Sequence, residues 1–169
     1  LKLISSVVFY FIASTLLNAD AWPQLRGPNR DGVFTEKATL LSWEEEGPRK
    51  LWSKQLGLGS SSASIANGRL FTMGYSNGIE TVYCLDPKTG TEIWKHSYPS
   101  EIGDKFWSGG SRGTPTIDGN TVYVVGHMGE LIAFNAEDGK IKWHKNIVKD
   151  FGFKRPTWGY SASPLISGD

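Results

Sequence analysis

The sequence predicts an all-β chain: a partial β-propeller of four-stranded antiparallel blades, about two full blades with parts of two others. Three observations carry this. Written from glycine to glycine, three stretches align: GSSSASIANG (59–68), GSRGTPTIDG (110–119) and GYSASPLISG (159–168). Between them a second element recurs, LDPKTGTEIW (85–94) and FNAEDGKIKW (134–143), with Asp86 to Asn135, Gly90 to Gly139 and Trp94 to Trp143 each displaced by 49 residues. A period of roughly 40 to 50 residues marks propellers and related arrays. Seven Trp and twenty Gly in 169 residues suit short strands, tight turns and aromatic packing.

The elements follow in order. Residues 1–21 read as an export signal: Lys2 supplies a basic start, 3–17 is a largely apolar run, and Ala19-Asp20-Ala21 has the small-x-small form of a cleavage site. The apolar run falls short of the ~20 residues that a membrane-spanning helix needs. Residues 22–49, rich in Pro, Gly, Asn and Asp, form an irregular lead-in expected to lie over the domain surface. The repeats occupy 50–169 and open on 50–56, expected as a strand like those bearing Trp94 and Trp143.

Each repeat reads as four strands. The first is short and enters Asn67-Gly68, Asp118-Gly119 or Ser167-Gly168, dipeptides that tolerate the positive φ of two-residue hairpins. The second covers 69–74 and 121–126. The third, 81–85 and 131–134, is apolar on both faces, as a strand between two neighbouring sheets should be. The DPKTG or NAEDG turn follows, with Gly90 and Gly139 at the left-handed position, and the fourth strand carries the Trp. Nothing past the signal has the periodicity of an amphipathic helix. Removing 21 residues leaves 148, about three periods. Propellers close with about four blades or more. The arithmetic therefore predicts an N-terminal fragment truncated at its C-terminus, beginning on Leu1 rather than Met, in which Trp52 completes a final blade.

The pattern A-x-D-x-x-T-G-x-x-x-W, seen at Cys84-Leu85-Asp86-Pro87-Lys88-Thr89-Gly90 through Trp94, resembles the pyrroloquinoline-quinone-type (PQQ-like) β-propeller repeat. That repeat builds the quinoprotein dehydrogenases and non-enzymatic relatives such as the outer-membrane assembly factor BamB. The resemblance implies that the Trp packs against the turn of an adjacent blade and that Gly lets the ring approach. Asp86, Gly90 and Trp94, with Asn135, Gly139 and Trp143, match that blade-docking set. Asn135 replaces the second Asp and Asp138 the Thr, and both keep turn chemistry. The segment WPQLRGPNRDG (22–32) resembles the start of exported bacterial propellers.

The composition says less about chemistry. A formal charge of +1, with Lys and Arg scattered among Asp and Glu, makes no electrostatic case for nucleic acid. The single cysteine, Cys84, falls opposite Ala133 and reads as a small buried filler; no intrachain disulfide is possible. The dehydrogenases implied by the resemblance carry an adjacent Cys pair, a calcium-binding Glu/Asn/Asp set and a catalytic Asp. This chain has no Cys-Cys and no acidic run with calcium-loop spacing. His96, His127 and His144 lack a second ligand at metal-binding spacing, so no metal site is expected. Arg112, Trp107 and Trp158 are the candidates to line a central funnel, Arg112 holding an anion; a loop Arg paired with a carboxylate and Trp rings packed between blades are the competing readings.

The reading is a periplasmic or secreted scaffold, non-catalytic in this segment. It binds a protein or small-molecule ligand at the propeller face, with no nucleic acid, no membrane span after signal cleavage and no evident cofactor. The alternative is a fragment of a PQQ- and calcium-dependent alcohol or sugar dehydrogenase.

Overall fold

The computed structural model describes residues 21–34, 42–43, 45–103 and 108–168. The expected signal lies outside these residues except for Ala21. Two antiparallel four-stranded sheets dominate. The first runs β1 (Ser64–Ala66), β2 (Arg69–Ser76), β3 (Ile79–Leu85), β4 (Glu92–Pro99); the second runs β5 (Thr116–Asp118), β6 (Thr121–Val125), β7 (Glu130–Asn135), β8 (Ile141–Asn146). Each is a simple meander, and each breaks register at the same repeat position, Cys84/Leu85 and Ala133/Phe134. The first strands, β1 and β5, are the ones that meet across the two sheets. This is the arrangement of two neighbouring blades, a partial propeller.

The core lies between the sheets. In sheet one Phe71 pairs with Cys84 and Cys84 with Trp94, so alternation turns these three, with Met73 and Val82, toward Val122, Val124, Ile132 and Phe134 of sheet two. Trp94 stacks at a tilt between Phe71 and Phe134, with centroids 5.8 and 5.7 Å away. Cys84 is fully buried, and burial pushes its thiol up to about 12. Ala133, its repeat counterpart, is equally buried.

The glycine-to-glycine copies hold one repeat to the next through hydroxyls. Ser61 Oγ donates to Gly113 O (2.8 Å) and Ser64 Oγ to Pro115 O (2.6 Å). One repeat later, Thr116 Oγ1 donates to Pro164 O (2.7 Å), and Thr114 N donates to Ser163 Oγ (3.0 Å). A small hydroxyl side chain reaches a neighbouring carbonyl without separating the backbones, hence the Ser- and Thr-rich copies.

Three local expectations are corrected. The segment 50–56 forms no strand; Leu58, just beyond it, bridges Tyr75. The second hairpin turns at Gly119-Asn120 rather than Asp118-Gly119, because Asp118 pairs with Thr121 inside the ladder. The third copy, 159–168, carries hydrogen bonds to the second but no strand. One turn of helix, α1 (Ile147–Phe151), follows β8, capped by Asn146 Oδ1 accepting from Val148 N and Lys149 N and stopped by Gly152 in the left-handed region.

The lead-in, expected to be irregular and to lie over the surface, also pairs with the first strands. Trp22 and Ile65 exchange both backbone hydrogen bonds (2.8 and 2.9 Å), and Ile117 N donates to Pro23 O (2.8 Å). Arg30 Nη2 reaches Ile166 O at 3.4 Å, so 22–30 crosses the leading edges of all three copies.

Candidate functional site

The two ends of the sheets differ. The turn end carries the D/N-x-x-x-G turns. Asp86 Oδ1 accepts from Lys88 N and Thr89 N, both 2.8 Å, and Asn135 Oδ1 accepts from Glu137 N at 2.8 Å. Asn thus keeps the bond from the amide two residues on, while the second bond is made only at Asp86. The amide of Thr89, then that of Lys88, holds the Asp86 carboxyl below its ordinary value. Trp94 Nε1 donates to Ala136 O (3.0 Å) while its ring covers Gly139; Trp52 Nε1 donates to Pro87 O (3.0 Å) and covers Gly90. Each Trp therefore docks on the turn one repeat ahead. A Cβ at Gly139 would stand 2.7 Å from the Trp94 ring. Trp143 is 41% exposed and packs its ring against Tyr123, with centroids 6.0 Å apart.

The opposite end, the loop end, holds the chemistry. Glu80 lies on the same face of β3 as Val82 and Cys84, so its carboxylate enters the seam between the sheets, fully buried. Tyr98 O–H donates to Glu80 Oε2 (3.1 Å), and the His127 amide donates to both carboxylate oxygens (3.1 and 3.3 Å). Burial raises the Glu80 carboxyl above its ordinary value, opposed by the polar groups around it, the hydroxyls of Ser111 and Tyr98 and the His127 amide among them. Burial, then the Glu80 charge, pushes the Tyr98 phenol well above its own. A Cβ at Gly126 would sit 2.8 Å from Glu80 Oε2, so only glycine leaves room there. The His127 ring, 1% exposed, lies between Gly103 and Gly159, and its carbonyl accepts from Tyr160 N at 2.9 Å.

Two openings flank this seam. Near the first strands, a 370 Å³ cavity is lined by Gly59, Ser60, Ser108, Gly109 and Arg112. Arg112 Nη1 reaches Trp158 O at 3.4 Å, and Trp158 is 46% exposed. Trp107 lies outside the described residues. Calcium takes six to eight oxygen ligands, carboxylates prominent among them. The described lining offers hydroxyls, glycines and a cation instead, a set that does not fit the ion.

Farther out, a groove of 530 Å³ separates the end of β4 from the β6–β7 turn and α1. Pro99, Met128 and Val148 give it apolar walls; Glu101, Lys149 and Arg155 stand at its rim. Arg155 pairs with Glu101 at 3.6 Å. Glu130, at one side, is met by His144 Nε2 and by Asn146 Nδ2 (2.8 Å).

Sequence reasoning singled out Arg112 and Trp158 and missed Glu80 and the groove. Glu80 had a signal: a carboxylate on the apolar phase of an alternating strand. The groove had none, because its walls come from segments 50 residues apart in the chain, Pro99 and Lys149.

A family model described as outer membrane protein assembly factor BamB matches residues 36–152. Over 109 residues the chain is 27% identical to the outer membrane protein assembly factor BamB of Xanthomonas campestris pv. campestris, covering 60% of this chain and 26% of that protein. Over 132 residues it is 24% identical to the quinoprotein ethanol dehydrogenase of Pseudomonas putida, covering 78% of this chain and 19% of that one. The solved quinohemoprotein alcohol dehydrogenase ADHIIG of Pseudomonas putida HK5 superimposes with a TM-score of 0.50 at 20% identity, over 68% of this chain and 16% of that chain. At that identity the likeness shows the fold alone. The chain therefore spans well under half the length of either relative.

Proposed function

The chain belongs to the family described as outer membrane protein assembly factor BamB, and from that premise we propose that it is an exported, non-catalytic propeller scaffold that binds a protein partner at its loop end. The carrying observation is the groove between the repeats, apolar along Pro99, Met128 and Val148 and charged at its rim, the mixture of protein-binding surfaces. The printed role of the Xanthomonas relative, outer membrane protein assembly, makes an assembly component the partner to look for. Export is supported by the signal read in 1–21. Trp22, the residue after the expected cleavage point, is also the first of the described residues to pair with the repeats. Among the described residues no helix is long and apolar enough to cross a membrane.

The test uses the full-length gene product. A photo-crosslinking residue in place of Met128 should trap an outer-membrane assembly component in the cell, identified by mass spectrometry. Supplied with pyrroloquinoline quinone and calcium, the protein should not oxidise ethanol in a dye-linked assay. Oxidation, or no assembly component at Met128, would overturn the reading.

A further inference from the structure

We propose that the leading edge of the first strands is a strand-accepting site, filled here by the chain's own lead-in, and that the same segment binds there from solution when the covalent one is gone. The contacts at this edge are those of strand addition, made through the backbone. Ile65 is the middle residue of β1 and turns both its N–H and its C=O to Trp22 (2.9 and 2.8 Å). Ile117 is the middle residue of β5 and donates to Pro23 O (2.8 Å). Proline has no N–H to return, so this second contact is a single bond. Ile166, 49 residues after Ile117, offers its carbonyl to Arg30 Nη2 (3.4 Å). Three successive copies thus meet one short segment at comparable places.

Two properties make the lead-in an occupant rather than part of the core. Its grip is shallow: of residues 22–34 only Gly27 is buried, and Leu25, Val33 and Phe34 are exposed. Backbone bonds with little apolar burial beneath them open at low cost. Its shape is also its own. Gly27 N donates to Gln24 O (3.0 Å), Arg30 N to Gly27 O (3.2 Å) and Gly32 N to Arg26 O (2.9 Å). Left-handed φ at Arg26 (67°), Gly27 (80°), Arg30 (60°) and Gly32 (77°) bends 26–32 into a hook, and the Trp22 ring closes over Gly27. The hook is written in a motif, WPQLRGPNRDG, that has no counterpart in the repeats themselves. A segment shaped by its own bonds loses little freedom on docking, which is what a separate ligand needs. The chemistry that fits the edge is therefore an extended Trp-Pro dipeptide followed by this hook, which a second copy of the chain also carries.

The test uses the full-length gene product lacking 22–33 and a fluorescein-labelled, N-acetylated peptide of residues 21–33, followed by fluorescence anisotropy. The peptide should bind the deletion variant at least about tenfold more tightly than the intact protein, whose edge is already filled. It should also restore slow hydrogen exchange at the Ile65 and Ile117 amides, which an unspecific contact would leave fast. A Gly27→Ala peptide, whose Cβ would stand 2.7 Å from the Trp22 ring, should bind roughly tenfold more weakly than the native one. Equal binding to the two proteins, equal binding of a scrambled peptide, or binding without protection of either amide would overturn the proposal. Should the deletion variant fail to fold, a protease site placed after Phe34 lets the intact chain fold first. Cleavage then leaves the lead-in held by its contacts alone, and labelled peptide should exchange into its place at the two amides. A nicked protein that takes up no labelled peptide would overturn the proposal equally.

Discussion

Glycine and tryptophan form a matched pair in this chain. Gly139 has φ +71°, and its missing Cβ is the space that Trp94 fills. Gly139→Val adds strain and displaces the ring, so it should destabilise nearly as much as Trp94→Ala, for which about 3–5 kcal/mol is expected of a large aromatic in a core. Chemical denaturation followed by Trp emission measures both; a silent Gly139→Val would remove the docking argument. Trp158→Ala, at a residue 46% exposed, should cost less than Trp94→Ala in the same experiment. Glu80 makes a different prediction. Burial sets its folded-state pKa above the ordinary 4.5, so its contribution to stability is fully present below that value and is lost as pH rises through the raised one. Glu80→Gln removes the titration while keeping the shape. The Tm difference between variant and wild type should therefore move in the variant's favour as pH climbs above 4.5. A difference constant with pH would show that the seam does not feel this carboxylate.

At the scale of elements, the lead-in behaves as a strap across the repeats. Ile65 N donates to Trp22 O (2.9 Å) and Ile117 N to Pro23 O (2.8 Å), so one short segment satisfies amides on two different sheets. The strap is internally braced: Gln24 Nε2 donates to Pro28 O (3.0 Å), Arg30 Nε donates to Gln24 Oε1 (2.9 Å), and Trp22 lies over Gly27. Deleting residues 22–33 should accelerate hydrogen exchange at the Ile65 and Ile117 amides, while β3, paired on both sides by β2 and β4, stays protected. Unchanged exchange at both amides would mean that the strap rests on the repeats without holding them. The hydroxyl contacts of Ser64 and Thr116 do the complementary work between copies, each satisfying a carbonyl of the following repeat.

For the whole molecule, the asymmetry between the two ends is the main consequence. Tight turns close one end with intramolecular bonds, whereas the other end gathers the long connections, the buried Glu80 seam, the Arg112 cavity and the groove lined by Pro99 and Met128. Loops carried on a rigid sheet scaffold are where binding surfaces collect. Export also belongs to this scale: mass spectrometry of the protein from the cell envelope or medium should find a mature chain beginning at Trp22, and an intact 1–21 there would refute signal cleavage.

Repetition made the fold legible. Asp86 and Asn135, Gly90 and Gly139, Trp94 and Trp143 recur at fixed spacing because each copy must present the same turn and ring to its neighbour, so local chemistry and blade geometry are one constraint written twice. The hairpin at Asn67-Gly68 and the doubly apolar third strands followed from φ requirements and burial on two faces, both properties of a few adjacent residues. Direction across the gap did not follow: the sequence offers Gly90 beside Trp94, yet only the packed sheets put Trp94 on Gly139 and Trp52 on Gly90. The same holds for the Glu80 cage and for the groove between Pro99 and Lys149, whose members lie tens of residues apart. Such contacts arise where two twisted sheets come to rest against each other, and the interval between residues along a chain carries no information about that distance.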